Sequence, residues 1–425
     1  MSAVPMSGPV RRVLPSGLTL LHERMSHRAS ISVGVWLKAG ARDEPQEQAG
    51  MTHFLEHMLF KGTERRNAYQ ISAALESVGG HLDAYTAREH VCYSARAIDR
   101  HLDRAIDVLA DIVLDSTLPA DEVAREKEVV REEIGSYEDA PEDKVHEVLA
   151  EALWGGDALG RPILGTEESV MGYEPVSLST FYRERYHPGS LVVSVAGAFD
   201  PAALEDMVAR AFDRPAGPSI GLVTGAGPAP PLSRYIGRDV SQLHLALGRP
   251  GLSHGDADRY RFAVLNTLAG GGMSSRFFQT LREQRGLAYS IYTSSESYRD
   301  TGMLTIALGV KPERGGEALE ALRAELGRFA AEGPTTEELE GGKAQIRGAL
   351  LLGEESVSNH MAHLALDEIA YGRYLPLDEH LDAVDAVTGS EVMDLARRFY
   401  SPDGWTLAAV GPESSTIERE VLSRF

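Results

Sequence analysis

The sequence predicts an α+β fold in two structurally similar halves, each a mostly antiparallel sheet packed with helices. Three observations predict it. Short apolar strands follow one another in hairpin order while helices come in groups, which favours α+β layers over a doubly wound parallel sheet. Two stretches echo each other: FYRERYHPGSLVVSVAGAFD, Phe181 to Asp200, and LARRFYSPDGWTLAAVGPES, Leu395 to Ser414. Both read as an Arg- and aromatic-bearing helix end, a Pro/Gly turn and a short strand closed by Gly. Arg185 and Arg398 stand 213 apart, and Gly197 and Gly411 stand 214 apart, about half of the 425 residues. A weaker echo joins Ser30–Gly40 to Ser241–Gly251 at an offset of 211. Repeats at one offset point to a duplication.

The elements follow in order. Val10–Leu14 and Leu18–His22 flank Pro15-Ser16-Gly17, a hairpin signal. Ser30–Lys38 is a largely apolar strand. Gly50–Phe60 and Ala68–Val78 read as helices, the second stopped by Gly79-Gly80. His81–Thr86 and Val91–Ala97 are two more strands, with a turn near Arg88-Glu89. Helices Leu102–Leu114, Ala120–Tyr137 and Lys144–Leu153 follow. Arg214–Ser233 holds five prolines and four glycines, so it suits neither helix nor central strand and reads as a semi-stiff linker. The expected organisation is a first domain over 1–213, a linker over 214–233 and a second domain over 234–425.

Composition narrows the function. With 42 Lys+Arg against 63 Asp+Glu, the net charge is -21. That argues against a nucleic-acid binder, which needs a basic face, and against an anionic membrane surface. The single cysteine, Cys92, excludes an internal disulfide and a multi-cysteine zinc site. Met1–Pro9 lacks the pattern of a secretory leader, and no window spans a membrane, so a cytoplasmic location is expected.

The chemistry centres on His53-Phe54-Leu55-Glu56-His57. In a helix, residues four apart share a face, so both imidazoles can reach one ion. Glu56 can point at a water on that ion. Met51, Leu55, Met58 and Leu59 set the segment in apolar surroundings, where unpaired His and Glu would be costly. A catalytic zinc takes three protein ligands and leaves one position open. With Cys92 alone, a carboxylate is the natural third ligand, and Ala120–Tyr137 is rich in them. At about 100° per residue, Val123, Val129, Val130, Ile134 and Tyr137 define one arc. Glu122, Glu126 and Glu133 fall inside it, whereas Glu128 and Glu132 fall outside. Phase alone does not separate Glu126 from Glu133.

HFLEHMLFKGT resembles the zinc helix of the inverzincin, or pitrilysin-type, peptidases, and the two-half length resembles their short, processing-peptidase-like branch with its bacterial relatives. The resemblance runs from about Val10 to Gly411. It implies that Glu133, 76 residues after His57, is the third ligand to one Zn2+ per chain, and that Glu126 orients a ligand from behind. It implies that Glu56 is the general base. Gly79–Tyr93 resembles the family's substrate-binding edge strand, which implies that Asp83, Ala84 and Tyr85 bind peptide, although Asp83 stands where the family usually has Asn. Gly270–Ser290 resembles a C-terminal segment whose Arg and Tyr, seven residues apart, hold substrate; Arg282 and Tyr289 have that spacing. The triple glycine Gly270–Gly272 lacks the phosphate-loop pattern. The second half has no HxxEH, so the resemblance implies a clamshell of two halves with one metal site.

The function so implied is a zinc endopeptidase acting on peptides or unfolded segments in an enclosed chamber. The rival is a non-catalytic or partner-dependent subunit of the same fold. Because this chain carries both the zinc set and the Arg/Tyr pair, the resemblance favours a homodimer over a heterodimer with a related subunit.

Overall fold

The structure, a computed structural model, describes residues 8–425; the first seven residues, part of the stretch expected to carry no leader, lie outside it. Two compact units emerge. Among the described residues, unit 1 comprises 8–134, 162–223 and 352–374, and unit 2 comprises 135–161, 224–351 and 375–425.

Unit 1 is built on six strands: β1 (Val10–Val13), β2 (Thr19–Arg24), β3 (Ser30–Leu37), β4 (His81–Thr86), β5 (Val91–Ile98) and β6 (Leu191–Gly197). They lie in the order β1-β2-β6-β3-β5-β4, antiparallel except where β2 runs parallel to β6. Unit 2 repeats the pattern without a counterpart of β1. Its strands β7 (Ser233–Arg238), β8 (Leu243–Pro250), β9 (Ala288–Ser297), β10 (Gly302–Val310) and β11 (Thr406–Pro412) lie in the order β7-β11-β8-β10-β9. The parallel pair β7 with β11 is the counterpart of β2 with β6. The echoing segments of the sequence fall on corresponding strands, β3 with β8 and β6 with β11.

Five helices of the first half matter for the site: α1 (Met51–Met58), α2 (Ala68–Glu76), α3 (Leu102–Leu114), α4 (Ala120–Glu138) and α5 (Pro141–Trp154). The core of unit 1 joins β3 and β5 to α1, α2 and α3 through residues such as Val33, Tyr93, Phe54, Leu75 and Leu109, all essentially inaccessible. The opposite sheet face is covered as well. There the helix Val357–Tyr371 packs Met361, Leu364 and Ala365 on Leu21, Trp36 and Val192. Burial on both faces explains why β3 and β6 are apolar almost throughout instead of alternating.

The units do not follow the two sequence halves throughout. The helix covering unit 1's second face comes from the second half of the chain, and α5 of the first half covers the sheet of unit 2. Val145, Val148 and Leu149 of α5 pack on Ala246, Ala408 and Val410. Each sheet makes room with a glycine. A Cβ on Gly34 would stand 2.4 Å from Met361 Sδ, and one on Gly248 would stand 2.9 Å from Leu149. Residues 214–232 form neither helix nor strand.

Two apolar residues read as inward on α4 turn outward: Val129 is 49% exposed and Tyr137 39%. Val129 lies about 100° round the helix from buried Val130, past the edge of the buried stripe, whereas Tyr137 shares the direction of that stripe and is exposed in the last turn of α4. Among the described residues, no helix is long and apolar enough to cross a membrane.

Candidate metal centre

The site is built on α1. The chain enters this helix through Gly50 at φ 91°, where a Cβ would stand 2.5 Å from the Leu164 carbonyl oxygen. Glycine is required there, and it leaves the helix without a capping side chain. Buried Glu44 caps instead, accepting from Gly50 N at 2.8 Å and Thr52 N at 2.6 Å. A carboxylate at this end also suits the helix dipole. Met51, Phe54, Leu55 and Met58 occupy the core-facing arc of α1 and fix its rotation. His53, Glu56 and His57 share the other arc.

The structure brings His53, His57 and Glu133 together, one ligand atom from each lying within 4.8 Å of the others. His53 Nε2 is 3.7 Å and His57 Nε2 3.6 Å from Glu133 Oε2. These gaps are too long for hydrogen bonds. They are near the spacing of about 3.4 Å between atoms each about 2.0–2.1 Å from one tetrahedral ion. His53 Nδ1 and Glu133 Oε2 are buried without a hydrogen-bond partner. Two imidazole Nε2 atoms facing one buried carboxylate oxygen that has no hydrogen-bond partner fit a zinc ion.

Protonation divides the two histidines. Burial first, and then the neighbouring His57, drives His53 down to about 4, so it stands as a neutral ring with a lone pair to give. Burial also works against a charge on His57, but the hydrogen bond to Glu126 and the charges of Glu126 and Glu133 outweigh it and push its pKa up. His57 Nδ1 lies 2.8 Å from Glu126 Oε1, which holds the proton on Nδ1 and leaves Nε2 facing Glu133. Burial opposes a charge on Glu126, but hydrogen bonds from His57 and Lys61 outweigh it and keep the carboxyl below its ordinary range. Glu56 is pushed up, mainly by burial, with a Thr86 hydrogen bond opposing and the charges of Glu133 and Asp83 adding to the rise.

The edge strand brings one further residue to the site. β4 forms one edge of its sheet. Leu82 and Ala84 turn toward the α1 side and pack on the core, while Asp83 and Tyr85 alternate to the other face. Asp83 accepts from the Ala84 amide, and Tyr85 stands edge-on to Trp36. The strand residue that touches α1's acid is Thr86, whose hydroxyl donates to Glu56 Oε2. Strand alternation could have found it, because Thr86 is the polar position on the face of Leu82 and Ala84. The hairpin beyond it, turning through Ala87–His90, is tied back by a fully buried Arg42 paired with Glu89 at 2.6 Å. Ala41 and Arg42 also donate to the Ala87 and Arg88 carbonyls. One loop, residues 40–44, therefore holds both the hairpin and the start of α1. Its charged residues carried no recognisable signal in the sequence.

Arg282 and Tyr289 belong to unit 2. Arg282 is exposed on a π-helical turn, Phe278–Gln284, stacked over Phe278, and Tyr289 is half exposed at the start of β9. The triple glycine between them and the preceding helix serves packing, since a Cβ on Gly270 would stand 2.6 Å from Thr293.

Residues 19–167 match the family described as Insulinase (Peptidase family M16), and residues 175–346 match one described as Peptidase M16 inactive domain. An uncharacterized zinc protease of Bacillus subtilis is 38% identical over 406 residues, 95% of this chain and 98% of that protein. Another, of Mycobacterium leprae, is 38% identical over 432 residues, 99% of this chain and 96% of its own. Among solved structures, a peptidase M16 inactive domain from Pseudomonas fluorescens has a TM-score of 0.89 at 20% identity, covering 96% of this chain and 98% of that one. A protease from Helicobacter pylori also has a TM-score of 0.89 at 20% identity, over 96% and 100% of the two chains. At that identity, the two structures speak to the fold alone.

Proposed function

Because this chain belongs to peptidase family M16, we propose that it is a zinc-dependent endopeptidase hydrolysing peptides or unfolded polypeptide segments. The observation that carries the reading is the convergence of His53, His57 and Glu133, with Glu133 Oε2 buried and unsatisfied between the two rings. A zinc ion held by these three would act as a Lewis acid and lower the pKa of a water.

The chain's own residues do the rest. Glu56 takes the proton from the attacking water and returns it to the leaving amine nitrogen. Thr86 holds one Glu56 oxygen, which limits the rotation of the carboxylate and leaves the other oxygen for the proton. The outer edge of β4 can pair with the main chain of an extended substrate, giving affinity with little side-chain preference. Asp83, Ala84 and Tyr85 would serve in that strand pairing. Arg282 and Tyr289 would hold the substrate backbone and steady the developing oxyanion. We extend the proposal to a self-sufficient homodimer, which sedimentation of the purified chain tests directly.

Glu56→Gln tests the centre of the reading. Removing the base while keeping the shape should leave about one zinc per chain and slow cleavage of a quenched-fluorescence peptide by ~10²–10⁴-fold. A variant that cleaves as fast as the parent overturns the role of Glu56.

A further inference from the structure

Helix α4 offers the metal two acids on one face. Glu126 and Glu133 are seven residues apart, two turns along the same stripe. A third acid inside the arc, Glu122, is paired with Arg125 on the helix surface. Both Glu126 and Glu133 reach His57, one at Nδ1 and the other opposite Nε2. Their surroundings differ in one respect. Glu126 is 2% exposed, and both its oxygens are engaged: Oε1 by His57 at 2.8 Å and Oε2 by Lys61 Nζ at 2.5 Å. Glu133 Oε2 is buried and has no hydrogen-bond partner.

Lys61 reaches this position because the chain turns out of α1 directly after the histidines, with Lys61 N bonded to the Met58 carbonyl. Its side chain is 28% exposed, so its stem lies along the protein while the ammonium meets the buried carboxylate. An ammonium has donors only and cannot ligate zinc through a lone pair while charged.

We propose that Lys61 is a positioning residue that selects Glu133 as the metal ligand by occupying Glu126. With Oε2 held by Lys61, Glu126 has one oxygen left, and that oxygen fixes the His57 tautomer and ring plane. Without Lys61, Glu126 keeps a buried charge lacking its cation. Turning from His57 toward water relieves that charge, and the turn loosens the hold on the His57 ring. The inference rests on the zinc reading above and adds the residue that divides two neighbouring acids into ligand and support.

The test is the zinc affinity of the metal-free full chain, measured by competition with a chromophoric chelator. Lys61→Met should weaken binding by ~10–100-fold, the range for loss of a partner behind a ligand. Lys61→Arg, which keeps the charge and donors, should restore most of the affinity. In a Glu126→Gln background, Lys61→Met should cost nothing further, because the carboxylate it serves is gone. Thermal unfolding of the metal-free variants checks that each is folded, and if Lys61→Met is not, Lys61→Gln is titrated in its place. Affinity within twofold of the parent, or losses that add in the double variant, would overturn the role of Lys61 while leaving the zinc site standing. A folded parent that binds no zinc would instead overturn the metal reading and this inference with it.

Discussion

The two sheets meet their first helix in opposite ways. In unit 1, α1 approaches the edge strand β4 with two histidines and a glutamate, and the contact between them is polar, Glu56 to Thr86. In unit 2 the corresponding helix, Arg259–Gly270, meets the edge strand β9 through glycine, with no room for a Cβ between Gly270 and Thr293. The same strand order thus supports a polar, histidine-bearing junction in one copy and a closed backbone contact in the other. A fold carries no chemistry by itself; a few side chains at one helix–strand junction supply it.

A second contrast concerns the helix that each sheet receives from the other half of the sequence. On unit 2, α5 is held by apolar packing of Val145, Val148 and Leu149. On unit 1, the helix Val357–Tyr371 adds charge to its packing. His360 is bonded by Glu23 at 2.5 Å and by Glu354 at 2.6 Å, one carboxylate on each ring nitrogen, and Arg11 pairs with Glu368. With both nitrogens donating, the ring is an imidazolium.

The largest effect expected from breaking these contrasts is at α5. Leu149→Ala should lower stability by about 2–5 kcal/mol, the usual loss for a buried leucine, read as a lower denaturant midpoint. The loss should be the same at pH 6.5 and pH 9, since the contact is apolar.

A smaller effect is expected at the closed junction of unit 2. Gly270→Ala forces a methyl against Thr293, at about 1–3 kcal/mol for overpacking. Zinc bound per folded chain should not change. Loss of zinc in this variant would mean that the two junctions are not independent.

The smallest effect separates the two received helices by pH. Burial works against a charge on His360, but the hydrogen bonds from Glu23 and Glu354 override it and raise its pKa to about 9. A group raised in this way contributes fully below its unfolded pKa, about 6.5, and loses the contribution as pH rises through 9. The parent's denaturant midpoint should therefore fall between pH 6.5 and 9, and His360→Gln should flatten that part of the curve. An unchanged slope in His360→Gln would assign the pH dependence to other groups.

Much of this molecule was legible from residues alone. Alternation and turn signals located the first five strands to within two residues, because Gly, Pro and apolar runs act locally. The HFLEH spacing put two histidines on one helical face through the period of the helix. Phase also put Glu126 and Glu133 on the inner side of α4, and Glu128 and Glu132 outside.

The sequence by itself determined the order of elements, the candidate ligands and the unpaired chemistry of the two halves. Only the tertiary structure shows that two helices exchange sheets, that Thr86 touches Glu56, and that Lys61 engages Glu126. Periodicity states the direction in which a side chain leaves its own element. It carries no information on what another element sets opposite, and that facing group fixes whether a buried carboxylate is already bonded or left open for a metal.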